Sequence, residues 1–215
     1  LISNKPVIVI GAGGHARVLI SSLKASRREI SGILDPDVKL IGQTIAGIPV
    51  LGNDETISNY APDSVELVNG IGSVATLEKR KAIYMKFKNA GYSFARVVHP
   101  SAAVMEDVQL GEGVQIMAGA VVQTGCTIGN NAVINTGALI DHDCIIGAHV
   151  HIAPGAVLSG GVAIGEMSHI GAAATIIQGI KIAERVVVGA GAVAIKDITT
   201  GKKVAGNPAK DIQQR

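Results

Sequence analysis

Aromatic residues are scarce. They make up 2% of the 215 residues, with no Trp, three Tyr and two Phe. A core without large rings must be narrow and filled by aliphatic side chains, because protein interiors are close-packed. Cysteine is scarce too. Cys126 and Cys144 are the two present, and nothing resembles a Cys-x-x-Cys pair. That excludes a disulfide framework and the usual spacing of a thiolate metal centre, so both read as small core residues, reduced in a cytosol. Neither sign of charge dominates. Nineteen Lys and Arg against 17 Asp and Glu leave +2, which implies no strong field toward nucleic acid or membrane. No apolar run reaches the roughly 20 residues of a membrane helix. No signal-peptide pattern opens the chain, and because it starts with Leu1 the native start is expected slightly upstream. These absences leave a cytoplasmic protein of one or two domains.

Glycine is abundant, at 27 residues, and aliphatic residues recur at a fixed interval. From Val104 to Val188 every sixth residue, fifteen in all, is Ile, Val or Leu. The residue four places after each is small or aliphatic, with Ser168 the polar exception. A period of six fits neither the helix nor an open strand. It is the signature of a solenoid in which each hexad forms one flat face and three hexads close one coil. Each coil buries its aliphatic side chains by stacking on the next. The frame holds without a slip from Val104 to about Ile198, so about five coils with no extruded loop are expected. Cys126 and Cys144 fall at the same inward position, one coil apart.

The chain before the solenoid has another grammar. Val7-Ile8-Val9-Ile10 reads as a buried strand, followed by Gly11-Ala12-Gly13-Gly14-His15-Ala16 and a helix to about Ala25. Gly32-Ile33-Leu34-Asp35 reads as a second strand that ends in an acid. Such a β-α-β unit lets a glycine turn approach a pyrophosphate, with helix N–H groups aimed at it. Asp35, at the end of the strand that follows the helix, is placed to accept a hydrogen bond from ribose or base. The Gly-x-Gly-x-x-Ala pattern also fits a nicotinamide-dinucleotide site, or a tight turn without a ligand. A third strand at Val65–Asn69 runs into a second glycine turn, Gly70-Ile71-Gly72-Ser73. A helix with Arg80 and Lys81 reaches about Ala90, and Ala95–Val98 is a further strand. This alternation predicts a small parallel, Rossmann-like α/β sheet. The expected domains are 1–98 and 99–215.

Imidazoles stand out inside an aliphatic repeat. His151 and His169 are three hexads apart in the frame and should stack on one edge. His149 reads as a solvent-facing corner residue. His142 lies between Asp141 and Asp143. A neutral imidazole accepts a proton near neutral pH, and flanking carboxylates fix its tautomer and raise its basicity. Acyl transfer from a thioester needs such a base, and backbone N–H groups at a coil corner can hold the oxyanion. A solvated polar corner is the plainer reading of the same triplet.

The β-α-β start with Gly-Ala-Gly-Gly-His, the Asp35 strand end, Asn135, Asp141-His142-Asp143, His151 and Gly206-Asn207-Pro208-Ala209-Lys210 together resemble one family over the full chain. It is the nucleotide-sugar 4-amino N-acetyltransferases of bacterial glycan synthesis, grouped with sialic acid O-acetyltransferases. The resemblance implies a left-handed β-helix with His142 as the catalytic base and Asn135 as a polar active-site residue. Asp143 stands where the family often has Glu. The resemblance also implies acetyl-CoA as co-substrate, contacted by His151, Gly160, Ala172 and Ala190. Gly13, Gly14, His15 and Asp35 match the nucleotide-sugar site, with Gly70, Gly72 and Ser73 in its second loop. No metal is implied. A homotrimer with active sites between subunits is implied. The hexad and a half between His142 and His151 agrees, since they cannot share one face of one coil. The expected reaction moves acetyl from acetyl-CoA to the 4-amino group of a UDP- or GDP-linked 4-amino-4,6-dideoxy sugar. Alternatives are O-acetylation of sialic acid or another sugar, a zinc lyase on the same solenoid, a dinucleotide-dependent oxidoreductase, and a non-catalytic nucleotide-sugar-binding protein.

Overall fold

The computed structural model describes residues 5–72 and 77–212, so the expected Ser73 contact lies outside the described residues. The chain divides into two compact units between Pro100 and Ser101.

The first unit is an α/β sheet. β1 (Val7–Ile10) is buried along its whole length and lies at the interior of the sheet. β2 (Ile30–Leu34) and β5 (Glu66–Asn69) pair with it in parallel on either side. A strand covered on both faces reads as a continuous apolar run, which is why these segments were legible. α1 (Gly14–Ala25) buries Ala16, Leu19, Ile20 and Leu23, the spacing of one helix face. α2 (Glu78–Asn89) buries Arg80, Tyr84 and Phe87. One element departs from the all-parallel expectation. β3 (Thr44–Ile45) pairs antiparallel with β4 (Ile48–Gly52), giving the order β3-β4-β2-β1-β5. The two-residue turn between them, Ala46-Gly47, has φ of 48° and 76°. That is the twist a tight hairpin needs, but Ala is a poor advertisement for it. The expected strand at Ala95–Val98 is shortened to Val97–Val98 and does not join this sheet.

The second unit is the left-handed parallel β-helix. Its strands are mostly two residues long, and each pairs with the strand one coil away, as in Val121↔Leu139 and Leu139↔Val157. The faces are named here after Leu139, Ile145 and His151. The Leu139 face has six strands and the Ile145 face five. Lys203–Ala205 and Lys210–Asp211 form an antiparallel pair that covers the last strand of the His151 face. That pairing blunts an otherwise open edge. The hexad aliphatics are buried from Ile116 to Val188. Each contributes about 1.5–3 kcal/mol. Cys126 and Cys144 are buried among them, as expected. A second regularity appears only in the backbone. Three residues after each frame aliphatic, from Gly113 to Gly191, φ lies between 55° and 74° at every position. Six of these residues are not glycine: Asn131, Asp143, His149, Met167, Ala173 and Arg185. Each accepts a strain of roughly 1–2 kcal/mol.

This corrects the expectation for His149. It is 6% exposed, and its Nδ1 lies 2.9 Å from Nδ2 of Asn131, one coil below. The left-handed corner lays the ring along the stack instead of out into water. His151 and His169 do stack, paired in register with ring centroids 4.9 Å apart, edge to face.

The stack leaves no room for a frame shift. At Gly147 even a Cβ would lie 2.7 Å from the backbone nitrogen of Glu166 in the next coil. Inserting one residue at Gly147 is expected to throw every later aliphatic side chain out of the core. A variant as soluble as the parent, with the same melting curve by circular dichroism, would refute the frame.

Candidate functional site

In the α/β unit, β1 delivers the chain into the glycine turn and α1 starts immediately after it. Gly13 is the N-cap of α1 and offers no side chain to its N–H groups. A Cβ at Gly13 or Gly14 would meet nothing within 4 Å. Packing therefore does not demand glycine at either position, and the bare backbone leaves the helix N-terminus open to an anion. Gly70 is different. A Cβ there would lie 2.7 Å from the Ile10 carbonyl and 2.9 Å from Cβ of Ala16, so its smallness serves packing. It brings the second loop against α1, where a Cβ on Gly72 would stand 3.6 Å from Cβ of His15. Asp35 has a structural duty as well. Its Oδ2 accepts the N–H of Ala12 at 2.7 Å and its Oδ1 accepts that of Asp37 at 2.9 Å. Each oxygen keeps a second lone pair for a ligand, while the first holds the glycine turn in place.

The solenoid carries two polar clusters, on different corners. The first lies between the Leu139 and Ile145 faces. Asp141 Oδ1 accepts the backbone N–H of His142 at 2.8 Å, and His142 Nδ1 lies 2.8 Å from Asp143 Oδ2. The left-handed φ of 59° at Asp143 is what the corner imposes there. With Nδ1–H donated to a carboxylate, the free lone pair is on Nε2. The Asp143 hydrogen bond, then the Asp141 charge, hold the His142 imidazole above the ordinary histidine pKa. The imidazole rests on Gly160, where a Cβ would stand 2.5 Å from Nε2. Gly160 was expected to contact acetyl-CoA; its visible duty is to make room for the ring. Gly125, unnoticed in the sequence, does the same on the other side, since a Cβ there would collide with Oδ1 of Asp143. Its signal was its place one full coil before Asp143. Beneath it, Asp107 Oδ2 accepts the Thr124 hydroxyl at 2.7 Å and the Gly125 N–H at 2.9 Å, and these bonds lower the Asp107 pKa. The two thiols face the same corner from inside: Cys126 Sγ donates to the Asp141 carbonyl at 3.1 Å and Cys144 Sγ to that of Ser159 at 3.3 Å. Burial pushes the Cys144 thiol up to about 11, so it stays protonated.

The second cluster begins one corner earlier. Asn135 Oδ1 accepts the Thr136 N–H at 2.8 Å, which orients the amide so that Nδ2 donates to His151 Nε2 at 3.1 Å. His151 therefore carries its proton on Nδ1. Burial lowers the pKa of His169, which keeps its ring neutral against His151. Ala172 and Ala190 are exposed on the Asn135 corner, one coil apart, joined by the Gly191 N–H donating to the Ala172 carbonyl at 2.8 Å. The structure thus brings His142, Asp143 and Gly160 together, and Asn135 with His151. It does not bring the two sets together within one chain, because the Leu139 face lies between their corners. Among the described residues no group of three or more His, Cys, Asp or Glu is arranged to hold a metal ion.

The hydrogen bond to Asp143 can be read directly. By NMR, His142 should titrate above the ordinary value of about 6.5. Asp143→Asn should bring the midpoint down, because the carboxylate that favours the imidazolium is gone. An unmoved midpoint would remove Asp143 as the cause.

Comparison with known proteins agrees with both halves. Residues 6–87 match the PglD N-terminal domain, and residues 107–142 and 125–160 match the bacterial transferase hexapeptide repeats. No curated protein matches. Among solved structures, the acetyltransferase domain of PglB from Neisseria gonorrhoeae FA1090, in complex with acetyl coenzyme A, is 36% identical over 98% of this chain and 100% of its own, with a TM-score of 0.90. PerB from Caulobacter crescentus, in complex with CoA and GDP-perosamine, is 36% identical over 98% of this chain and 99% of its own, with a TM-score of 0.89. WeeI from Acinetobacter baumannii AYE is 27% identical over 97% of this chain and 100% of its own, with a TM-score of 0.86. The glycine turn before α1, the hexad solenoid and these full-length likenesses have one reading: the chain belongs to the PglD-like nucleotide-sugar N-acetyltransferases, hexapeptide-repeat enzymes that use acetyl-CoA.

Proposed function

We propose that this enzyme transfers acetyl from acetyl-CoA directly to the 4-amino group of a UDP- or GDP-linked 4-amino-4,6-dideoxy sugar, in cytoplasmic synthesis of a bacterial glycan. The observation that carries the reading is His142, half exposed, tied through Nδ1 to Asp143 with Nε2 against Gly160. It stands in a chain 36% identical to a protein crystallised with CoA and GDP-perosamine. The perosamine N-acetyltransferase from Caulobacter crescentus was also solved with a histidine replaced by Asn or by Ala.

The chemistry follows from the geometry. The sugar amine, an ammonium in bulk water, first gives one proton to solvent and attacks the thioester carbonyl as the neutral amine. His142 Nε2 takes the proton lost as the N–C bond forms. The tetrahedral oxyanion is met by backbone N–H at a coil corner. The C–S bond then breaks, and the CoA thiolate leaves with the proton that His142 returns. Asp143 keeps the imidazole in the Nδ1–H tautomer and favours its cationic form. In the first unit, Gly13, Gly14 and the N-terminus of α1 cradle the diphosphate, with Asp35 and His15 beside the nucleoside. Asn135, His151, Ala172 and Ala190 lie on the acetyl-CoA side. Their separation from His142 across the Leu139 face supports an active site shared by two chains of a homotrimer, since closed threefold symmetry would complete it three times.

Two sets of kinetics test this. His142→Ala should lower kcat by about 10²–10⁴ with little change in either KM. The rising limb of the rate against pH, displaced upward by Asp143, should vanish in the variant. Retention of more than about a tenth of parental turnover is less loss than removing a general base allows, and would sink the assignment. Gly13→Val should raise KM for the amino sugar far more than KM for acetyl-CoA, and an equal rise in both would count against the nucleotide site. Assaying UDP- and GDP-4-amino sugars for CoA release, with the product identified as amide or ester, settles base and acceptor together.

A further inference from the structure

Arg80 is an unexpected charge. It lies on α2, a helix with four lysines, none of them buried, yet it is 1% exposed. Burying a guanidinium carries a heavy desolvation cost. Here that cost lowers its pKa to about 9. It is still a cation at neutral pH, and such a group persists only where its donors are well used. Its Nη1 donates to the carbonyls of Asn69 at 2.8 Å and Ile71 at 3.0 Å. Asn69 answers from the other side: its Nδ2 donates to the Arg80 carbonyl at 2.9 Å, and its Oδ1 accepts the Ile71 N–H at 3.2 Å. Asn69 is itself 1% exposed. Two buried polar side chains thus close a ring of hydrogen bonds on one three-residue stretch.

That stretch is the loop leaving β5 beside the start of α1. The Gly70 N–H donates to the Ile10 carbonyl at 2.8 Å. A Cβ added to Gly11 would stand 2.9 Å from Cδ1 of Ile71. The second loop and the glycine turn therefore interlock, and the Arg80–Asn69 ring fixes the loop from beneath. A loop at the carboxyl end of a parallel strand is where an α/β sheet meets its ligand. A loop already held in its bound shape loses less freedom when ligand arrives.

We propose that Arg80 and Asn69 are positioning residues for the nucleoside diphosphate part of the substrate: they hold Asn69–Gly72 in the shape that meets it without touching it. This rests on the nucleotide-sugar reading of the first unit. The solenoid chemistry should not depend on them.

The test uses the intact protein and calorimetric titration with UDP and with GDP. The parent should bind at least one of them. Arg80→Met and Asn69→Ala should each weaken that binding by about tenfold or more. The amino-sugar KM should rise in step, with kcat and the acetyl-CoA KM unchanged. Phe87→Leu, a buried change on the same helix away from the loop, is the control for lost stability and should leave nucleotide binding intact. If Arg80→Met does not fold, Asn69→Ala decides the matter. Variants that melt lower but bind UDP or GDP as the parent does would overturn the positioning role and leave the nucleotide site standing. A parent that binds neither nucleotide would overturn the site and the proposal with it.

Discussion

Parallel pairing at a fixed interval of three hexads governs the solenoid. Each coil gives its backbone hydrogen bonds to the coils above and below, so every residue of a face lies against its equivalent one coil on. A one-residue slip would turn the aliphatic set outward along every later coil. The constraint also decides where chemistry can sit. The inside accepts aliphatic side chains and the faces are narrow, so polar groups collect at corners and on outer edges. There a polar side chain has neighbours chosen by the frame: His142 has Gly160 on one side, and Asp143 has Gly125 on the other.

Small residues around a large polar one are therefore part of its setting. A methyl group at 160 would occupy the space beside Nε2, the atom left to take a proton once Nδ1 is bonded to Asp143. The strained corner contributes too. An isolated Asp gains little from a left-handed φ, and the cost is met by the stack, whose coils pair above and below it. The His142–Asp143 pair is exposed. Its hydrogen bond therefore orients and tunes the imidazole but adds little stability of its own.

The first unit uses glycine differently, to leave the backbone at a helix start uncovered. Its open element is the N-terminus of α1, bare at Gly13 and Gly14, while Asp35 grips the turn by the Ala12 N–H. Side chains do their work there by fixing main chain, and Arg80 with Asn69 does so for the neighbouring loop. In both units glycine serves two ends that look alike in a sequence. At Gly13 and Gly14 it leaves space open, and at Gly70 and Gly160 it lets a neighbour fill that space.

Periodicity determined the solenoid from sequence alone, because a core that repeats every sixth position admits one kind of side chain at each inward place. The same arithmetic placed His151 against His169 and Cys126 over Cys144. The acid–imidazole–acid triplet marked His142, since those residues have no place in an aliphatic repeat unless they face out. Tertiary structure decided the rest. His149 looked like surface because a corner reads as polar; the left-handed backbone carried it inward to Asn131. Arg80 looked like one more cation on a lysine-rich helix, and the carbonyls of Asn69 and Ile71, on the loop before the helix, account for its burial. The hairpin at Ala46-Gly47 was hidden because Ala seldom takes that conformation. Gly160 and Gly125 gained their meaning from the coils stacked against them. Local pattern reports which way the repeating aliphatic side chains face; what the others meet is decided by chain that returns a full coil later.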